Sequence, residues 1–398
     1  MLQKIKNYYH FGKAIVALFY FGYPARKLKM IGVTGTDGKT TTVHLISYIL
    51  KKCGKKVGFI SSIEAQIGNE KVDTGFHVTT PEPWQVQKLI KKMVSRGVEY
   101  AVLEVTSHGL DQNRVFGCNF SIGVITNVTH EHLDYHKSFK SYLAAKARLF
   151  KKTKINVLNI DDSNFSEIKA VAEGEIVTYG IKNNADFTIR NFPFKLRIPG
   201  EYNIYNALAA AAATSSLGFK RSSIIKAISE FDGLDGRMES IDEGQDFKVV
   251  VDFAHTPNAL KVVLGTLRKM SKGRVIAVFG AAGERDFQKR SQMGEIAAEL
   301  ADLSIVTTED PRGENVAKIS GQIANGLRKG NAFENEDFFI IEDRRKAIEF
   351  AILEAKERDI VGIFGKGHEE SMCFGKVEKP WSDQAEARNA LKRRRKNE

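Results

Sequence analysis

A β-branched run at residues 30–33, a glycine-rich turn and an amphipathic helix follow one another without a break, and few sequence features restrict a fold so narrowly. The turn reads Gly35-Thr36-Asp37-Gly38-Lys39-Thr40-Thr41, and the helix after it carries apolar residues at Val43, Ile46, Ile49 and Leu50. Glycines in such a turn let backbone amides point inward around phosphate oxygens, and the helix N-terminus adds its positive end. Lys39 is placed to reach the outer phosphates and Thr40 to ligate magnesium, so the segment predicts a nucleotide-triphosphate site. The generic spacing would put a first glycine where Val33 stands, and there the pattern departs. A bare tight turn accounts for the glycines but not for the strand before them or the helix after them.

The same alternation runs through the rest of the chain. Short β-branched runs at 100–105, 122–126, 249–252, 275–279, 304–307 and 360–364 alternate with helical periodicity, the signature of parallel sheets covered by helices. With 398 residues, 42% of them hydrophobic, the chain is too long for one ordinary core and has apolar material for two. The sequence Phe-Asp-Gly-Leu-Asp-Gly at 231–236 ends a long helical region that includes an alanine-rich stretch at 206–216, and a fresh strand pattern follows. The expected fold class is α/β: an N-terminal helical segment (1–28), a P-loop-type central ATP-binding domain with a mostly parallel sheet (29–232), and a Rossmann-like C-terminal α/β domain (233–398).

Lysine and arginine number 60 against 48 acidic residues, a net charge of +12. That balance favours anionic partners such as nucleotides; no nucleic-acid partner is expected. Cys53, Cys118 and Cys373 lie too far apart for a disulfide framework or a four-cysteine zinc site, so a reducing, cytoplasmic location fits. No apolar run reaches the roughly 18 residues of a membrane-spanning helix. The aromatic stretch 8–23 carries Lys13 and ends at Pro24; it reads as a packing helix, with contact to a membrane surface the lesser reading. The basic tail 392–396 reads as a frayed, solvated helix end.

Three further features carry chemistry. Glu104 ends the run at 100–105, where α/β sheets place their ligands, and a carboxylate there can reach a magnesium ion held by phosphates. The run at 122–126 leads into Thr126-Asn127-Val128-Thr129-His130-Glu131-His132-Leu133-Asp134-Tyr135-His136, whose histidines read as ordinary solvent-facing residues, with one or two in the site, rather than as a zinc cluster. The helix expected at 140–150 aligns Tyr142, Lys146, Leu149 and Phe150, which sets a lysine where an apolar residue belongs. A buried unpaired ammonium is costly, so spacing alone favours Lys146 snorkelling to solvent or pairing with Glu104.

Together these residues closely resemble the Mur ligase family, most of all its tripeptide synthetases, over about residues 29–391. The motifs are specific: Gly-Thr-Asp-Gly-Lys-Thr-Thr from Gly35, Thr-Thr-Pro from Thr79, Glu-Val-Thr-Ser-His-Gly-Leu from Glu104, the segment 126–136, Ala-Ala-Lys ending at Lys146, Asn203 with Asn206, Gly-Arg-Met-Glu from Gly236, Asp-Phe-Ala-His-Thr-Pro from Asp252, Arg285-Asp286 with Lys289-Arg290, Asp-Pro-Arg from Asp310 and Gly-Lys-Gly-His-Glu from Gly365.

The resemblance implies an ATP- and Mg2+-dependent ligase that forms an amide through an acyl phosphate. It implies catalytic roles for Lys39, Glu104, His132 and Lys146. Lys146 would be carbamylated and hold a second magnesium ion, with Thr40, Glu104 and His132 as further metal ligands. ATP would be bound by Gly35, Thr36, Asp37, Gly38, Lys39, Thr40, Thr41, Asn203, Arg237 and Asp252. Thr79, Thr80, Thr106, Gln112 and Arg114 match positions that hold a muramoyl-peptide acceptor, and Arg285, Asp310, Arg312, Gly365 and Glu369 match positions for the incoming amino acid.

Two departures matter. Full-length members carry an N-terminal uridine-binding domain, whereas about 28 residues precede the first strand here. Either a partner supplies that domain, or the acceptor is held by its muramoyl-peptide end, or it is not a UDP-sugar. In this respect the chain is similar to folylpolyglutamate synthetase, whose loop typically reads Gly-Lys-Gly. The amino-acid selector also differs: diaminopimelate enzymes usually show Asp-Asn-Pro-Arg, and here it is Glu309-Asp310-Pro311-Arg312. Arg312 suits the second carboxylate of meso-diaminopimelate, Asp310 suits the ammonium of L-lysine, and both amino acids stay open. Other readings are a ligase acting on folate or a polyamide, and a catalytically silent nucleotide-binding scaffold. Joint retention of Lys39, Glu104, His132 and Lys146 argues against the scaffold.

Overall fold

Burial decides which apolar runs become strands. In the computed structural model, which describes residues 2–72, 79–129 and 131–397, strand β1 (Lys29–Thr34) is buried at every residue but its first, as a parallel strand covered on both faces must be. The chain forms two compact units, Met1–Asp232 and Gly233–Glu398. His130 of the histidine segment lies outside the described residues.

In the first unit, helix α1 (Leu2–Phe21) precedes β1. There follow α2 (Lys39–Lys52), β2 (Val57–Ile60), β3 (Ala65–Ile67), β4 (Glu70–Val72), α3 (Pro83–Ser95), β5 (Tyr100–Glu104), α4 (Ser107–Asp111), β6 (Ile122–Ile125), α5 (Leu133–His136), α6 (Phe139–Ala147), β7 (Ile155–Asn159), α7 (Phe165–Val171), β8 (Glu175–Tyr179), α8 (Glu201–Ser215) and α9 (Arg221–Ser229). The sheet order is β4-β3-β2-β5-β1-β6-β7-β8, with β3 and β4 antiparallel at one edge and the other six strands parallel. In register, Val33 lies beside Glu104 and Thr34 beside Ile125. The carboxyl end of β1 therefore sits between those of β5 and β6, a point where the strand order reverses and where open α/β sheets bind ligands.

Seven consecutive alanine and leucine residues of α8, Ala207–Ala213, are fully buried, and their small side chains let α8 pack closely along α2. Helix α6 ends at Ala147 and passes into a 3-10 turn, so it is shorter than the spacing predicts.

The second unit contains β9 (Glu239–Ile241), β10 (Lys248–Asp252), α10 (Pro257–Met270), β11 (Val275–Phe279), α11 (Gln288–Leu300), β12 (Leu303–Val306), α12 (Val316–Lys329), β13 (Phe338–Ile340), α13 (Arg344–Glu354), β14 (Ile360–Phe364), β15 (Ser371–Phe374), β16 (Val377–Pro380) and α14 (Asp383–Asn397). Its main sheet runs β13-β12-β11-β14-β10-β9, parallel except for β9, and β15-β16 is a separate hairpin. The basic tail is not frayed. Leu391 is buried, and Arg394 donates to the carbonyls of Ile352 (2.6 Å) and Ala355 (2.7 Å) at the end of α13, where a cation meets the negative end of that helix.

A buried ion pair ties the start of α13 to the start of α14. Arg344 and Asp383 are both fully buried; Nε and Nη2 of Arg344 reach the two carboxylate oxygens at 2.8 and 2.7 Å. The same guanidinium donates to the carbonyls of Phe364 (2.9 Å) and Thr308 (3.2 Å). The substitution Asp383→Ala leaves that cation buried and unpaired, and is expected to destabilise the second unit by about 3–5 kcal/mol. Urea unfolding followed separately for the two units checks this, since only the second should shift.

Candidate active site

The glycine loop is moulded by the strand beside it. Gly35 has φ +149°, and a Cβ there would stand 1.8 Å from Thr126 Oγ1, so no larger residue fits without moving β6. Gly38 has φ +81°, and its Cβ would stand 2.3 Å from Asn206 Oδ1. The segment after β6 holds the loop from outside. Thr36 N donates to Asn127 O (2.8 Å), Asp37 N to Asn127 Oδ1 (2.9 Å), and Thr126 Oγ1 to Asp37 O (2.6 Å). Thr129 N donates to Thr36 Oγ1 (2.9 Å), which also meets the Tyr142 hydroxyl at 2.9 Å. Lys39 Nζ donates to Thr36 O at 2.7 Å, and Thr40 and Thr41 are buried in the first turn of α2.

Glu104 sits beside this loop, 2% exposed. Its Oε2 accepts from Thr40 Oγ1 and from Ser62 N, both at 3.0 Å, and its Oε1 lies 3.0 Å from Ser62 Oγ. The Ser62 hydroxyl also lies 3.0 Å from Thr79 Oγ1, so one short chain of hydroxyls links Thr79 to Thr40 through the carboxylate. Thr80 Oγ1 donates to Glu104 O (3.1 Å), and Thr106 N donates to Thr80 Oγ1 (3.0 Å). Thr106 caps α4 by accepting from Gly109 N. Arg114 completes the rim: Nη1 donates to Thr80 O (2.7 Å), and Nε and Nη2 donate to Gln112 Oε1 (2.9 and 2.7 Å).

Lys146 neither reaches solvent nor forms an ion pair with Glu104. It is 2% exposed, donates Nζ to the Gly35 carbonyl and lies 4.5 Å from the centroid of the Tyr142 ring. The short helix α6 fixes it there, with Tyr142 one turn before it. Burial holds its amine well below the usual lysine range; Lys39 pushes the same way, and the attraction of Glu131, Asp37 and Glu104 does not offset them. His132 lies at the edge of the cluster in a left-handed conformation, φ +55°. Its Nε2 is 3.6 Å from Glu131, and its ring is 4.8 Å from His108 and 6.2 Å from Tyr142.

Magnesium fits this donor set. Thr40 and Glu104 offer hard oxygens 3.0 Å apart, and among the described residues no three His, Cys, Asp or Glu side chains form a closed cage. Such a sparse set suits an ion that takes most of its ligands from phosphates and water.

In the second unit, the remaining candidates gather at strand ends. Asp252 ends β10 and accepts from Met238 N and Ala254 N, both at 2.8 Å; Arg237 lies over the Phe253 ring at 4.4 Å. Asp310 accepts from Lys366 Nζ (2.8 Å) and Cys373 N (2.9 Å), and Lys366 also pairs with Glu369 at 2.6 Å. Burial opposes the charge on Lys366, but Glu369 and Asp310 outweigh it and hold the amine above its usual range. Gly365, at φ +111°, brings the backbone against Glu309. Arg312 is half-buried beside Cys373 and Phe374, and among the described residues no carboxylate pairs with it. Arg285 is exposed on the loop after β11. Its buried neighbour Arg290 pins that loop, donating to Ala282 O (3.1 Å) and pairing with both oxygens of Glu314 (2.9 and 3.0 Å). That pair holds the Glu314 carboxyl down at about 2.

Sequence reasoning missed Ser62, and it quoted Asn127, Tyr142 and Lys366 without giving them a role. Ser62 follows β2 as Thr106 follows β5, and these strands are neighbours, so shared position was the available signal. Asn203 lies behind Asn206, whose Nδ2 donates to its Oδ1 at 3.2 Å, and Asn206 in turn accepts from Thr42 Oγ1 at 3.4 Å.

Residues 33–214 match the Mur ligase middle domain, and residues 236–367 match the "Mur ligase, glutamate ligase domain". The chain belongs to the Mur ligase family and is an ATP- and Mg2+-dependent, amide-forming ligase. It is 39% identical over 377 residues, 90% of this chain and 76% of the relative, to the UDP-N-acetylmuramoyl-L-alanyl-D-glutamate–2,6-diaminopimelate ligase of Clostridium botulinum. A solved structure of a ligase of that name is 32% identical with a TM-score of 0.64, covering 92% of this chain and 79% of the other. Mycobacterium tuberculosis folylpolyglutamate synthase shares the fold at 15% identity, with a TM-score of 0.72 over 89% of this chain and 92% of the other.

Two substitutions test the loop and its support. Gly35→Ala is expected to weaken ADP binding at least tenfold, about 1.4 kcal/mol, by calorimetry, with unchanged circular dichroism. Ser62→Ala removes one ligand of Glu104 and should lower kcat more than it changes the KM for ATP.

Proposed function

We propose that this ligase joins meso-diaminopimelate to a UDP-N-acetylmuramoyl-dipeptide acceptor in the cytoplasm, as a step of peptidoglycan precursor synthesis. The observation that carries the reading is the convergence of Lys39, Thr40, Glu104 and Lys146 at the carboxyl ends of β1 and β5. The domain roles follow: residues 29–232 bind ATP and acceptor, residues 233–398 bind the amino acid, and 1–28 form a helical segment. Thr79, Thr80, Thr106, Gln112 and Arg114 hold the muramoyl-peptide end. Asn203, Arg237 and Asp252 contribute to nucleotide binding.

The acceptor carboxylate attacks the γ-phosphorus of ATP; a new P–O bond forms, the bond to the β-phosphate oxygen breaks, and ADP leaves. Lys39 and the amides of residues 38–41 at the N-terminus of α2 neutralise charge on the transferring group. Magnesium, when bound by Thr40, Glu104, His132 and carbamylated Lys146, supplies Lewis-acid charge neutralisation at the phosphates. The amino group then attacks the acyl carbonyl, loses a proton, and the C–O bond to phosphate breaks. Water must be kept from that acyl phosphate, which it would otherwise hydrolyse.

A neutral amine is the form that adds carbon dioxide, so the lowered pKa of Lys146 favours its carbamate at neutral pH. The sign is fixed: the carbamate is present above the folded pKa of Lys146 and is lost as pH falls and the ammonium returns. For the amino acid, Asp310 already faces Lys366 and the Cys373 amide, so its charge is matched within the protein. The guanidinium of Arg312, which has no carboxylate partner among the described residues, remains for a second carboxylate, and this supports diaminopimelate over lysine. In this reading Gly365, Glu369 and Arg285 supply the remaining contacts to the amino acid.

The deciding assay measures phosphate release with ATP, magnesium and UDP-N-acetylmuramoyl-L-alanyl-D-glutamate in the presence of diaminopimelate, lysine or no amine. Release should depend on diaminopimelate, vanish with EDTA and return with magnesium; release with lysine alone would refute the choice of amino acid. Arg312→Ala should raise the KM for diaminopimelate by about 10- to 100-fold, the worth of a charged hydrogen-bond pair. With 13C-bicarbonate, a carbamate resonance should appear in the wild type, fade on acidification and be absent from Lys146→Ala, which should also lose turnover.

A further inference from the structure

The outer face of α1 serves neither site, and its chemistry is unusual for a surface. Tyr8, Tyr9, Val16, Phe19 and Tyr20 are 60–76% exposed, and their spacing sets them on one side of the helix. The opposite side buries Ala14, Ala17 and Leu18 and sets Phe11 edge-on to Phe116 at 5.0 Å. Trp84, 46% exposed at the start of α3, packs its ring at a tilt against Tyr20 (4.7 Å) and edge-on to Phe21 (5.1 Å) and extends the patch. Lys13 Nζ lies 4.5 Å over the Tyr9 ring, and Arg26 lies 4.5 Å over Tyr23. Before Asp37 the sequence has no acidic residue and six basic ones, Lys4, Lys6, Lys13, Arg26, Lys27 and Lys29.

A contiguous exposed apolar patch marks a docking surface, and the charge chooses the partner. A second copy would bring two basic faces together, which their repulsion opposes. Tyrosine and tryptophan rings settle at the headgroup level of a bilayer, with an apolar body and a polar tip, and lysine and arginine beside them meet anionic headgroups. No described helix is long and apolar enough to cross a membrane. We propose that α1 and Trp84 dock this enzyme peripherally on an anionic lipid bilayer, with the helix lying in the headgroup plane. The inference is independent of which amino acid the ligase adds.

Vesicle sedimentation with the full chain tests it. The protein should pellet with equimolar phosphatidylcholine and phosphatidylglycerol, not with phosphatidylcholine alone, and added salt should release it. A Tyr8→Ser/Tyr9→Ser/Phe19→Ser/Tyr20→Ser variant and a Lys13→Glu/Arg26→Glu variant should each lower the partition coefficient at least about tenfold, with phosphate release unchanged. In a Trp381→Phe background with α1 intact, Trp84 emission should shift to the blue on adding anionic vesicles, a readout that does not depend on the α1 variants folding. Failure of the wild type to pellet, equal pelleting of the variants, or an unshifted Trp84 would overturn the proposal. A dimer in sedimentation equilibrium that the aromatic variant dissociates would assign the face to a second copy instead.

Discussion

Lys146 donates to the carbonyl of Gly35 from a position with almost no contact to solvent, and the rest of the first unit is arranged so that this can happen. The lysine is delivered by a helix two turns long, steadied by Tyr142, whose hydroxyl meets Thr36. An amine is tolerated there because it has a carbonyl acceptor and a ring face, and because its charge is easily given up. The glycine loop therefore does more than cradle phosphates. Its outer side is also an acceptor for Lys146, the residue proposed to carry the carbamate.

Much of this was legible in the sequence. The loop, Glu104 and Lys146 could be found because each breaks a local pattern: glycines between a strand and a helix, a carboxylate ending an apolar run, a lysine on an apolar stripe. Their mutual position was not legible, since it follows from the strand order that puts β1 between β5 and β6. Spacing favoured a snorkelling or Glu104-paired Lys146, because sequence cannot show that Gly35 O is available to it. Ser62 was invisible for the same reason: a serine after a short strand looks like any turn residue until β2 is seen next to β5.

The second unit shows how a charge can be read from sequence without its partners. Asp310 in the amino-acid selector suited a lysine substrate as one of two open choices. In the fold it is met by Lys366, a fully buried residue 56 positions later, and by a backbone amide from the β15–β16 hairpin. The basic tail is a parallel case. Its arginines serve as caps on α13 and as ties to the loop before β10, so a run of like charge is structural.

The contact between Gly35 and Thr126 joins positions some 90 residues apart along the chain, as the neighbouring bond from Thr126 to Asp37 shows. Neither strand nor helix propensity near the glycines can shape that loop; β6 must already lie in register beside β1. Contacts of such sequence separation close late, because loop-closure entropy must be met first. The conformation of the glycine-rich loop is thus a gauge of sheet completion: a chain arrested with β6 unpaired keeps the glycine-rich segment but not its shape.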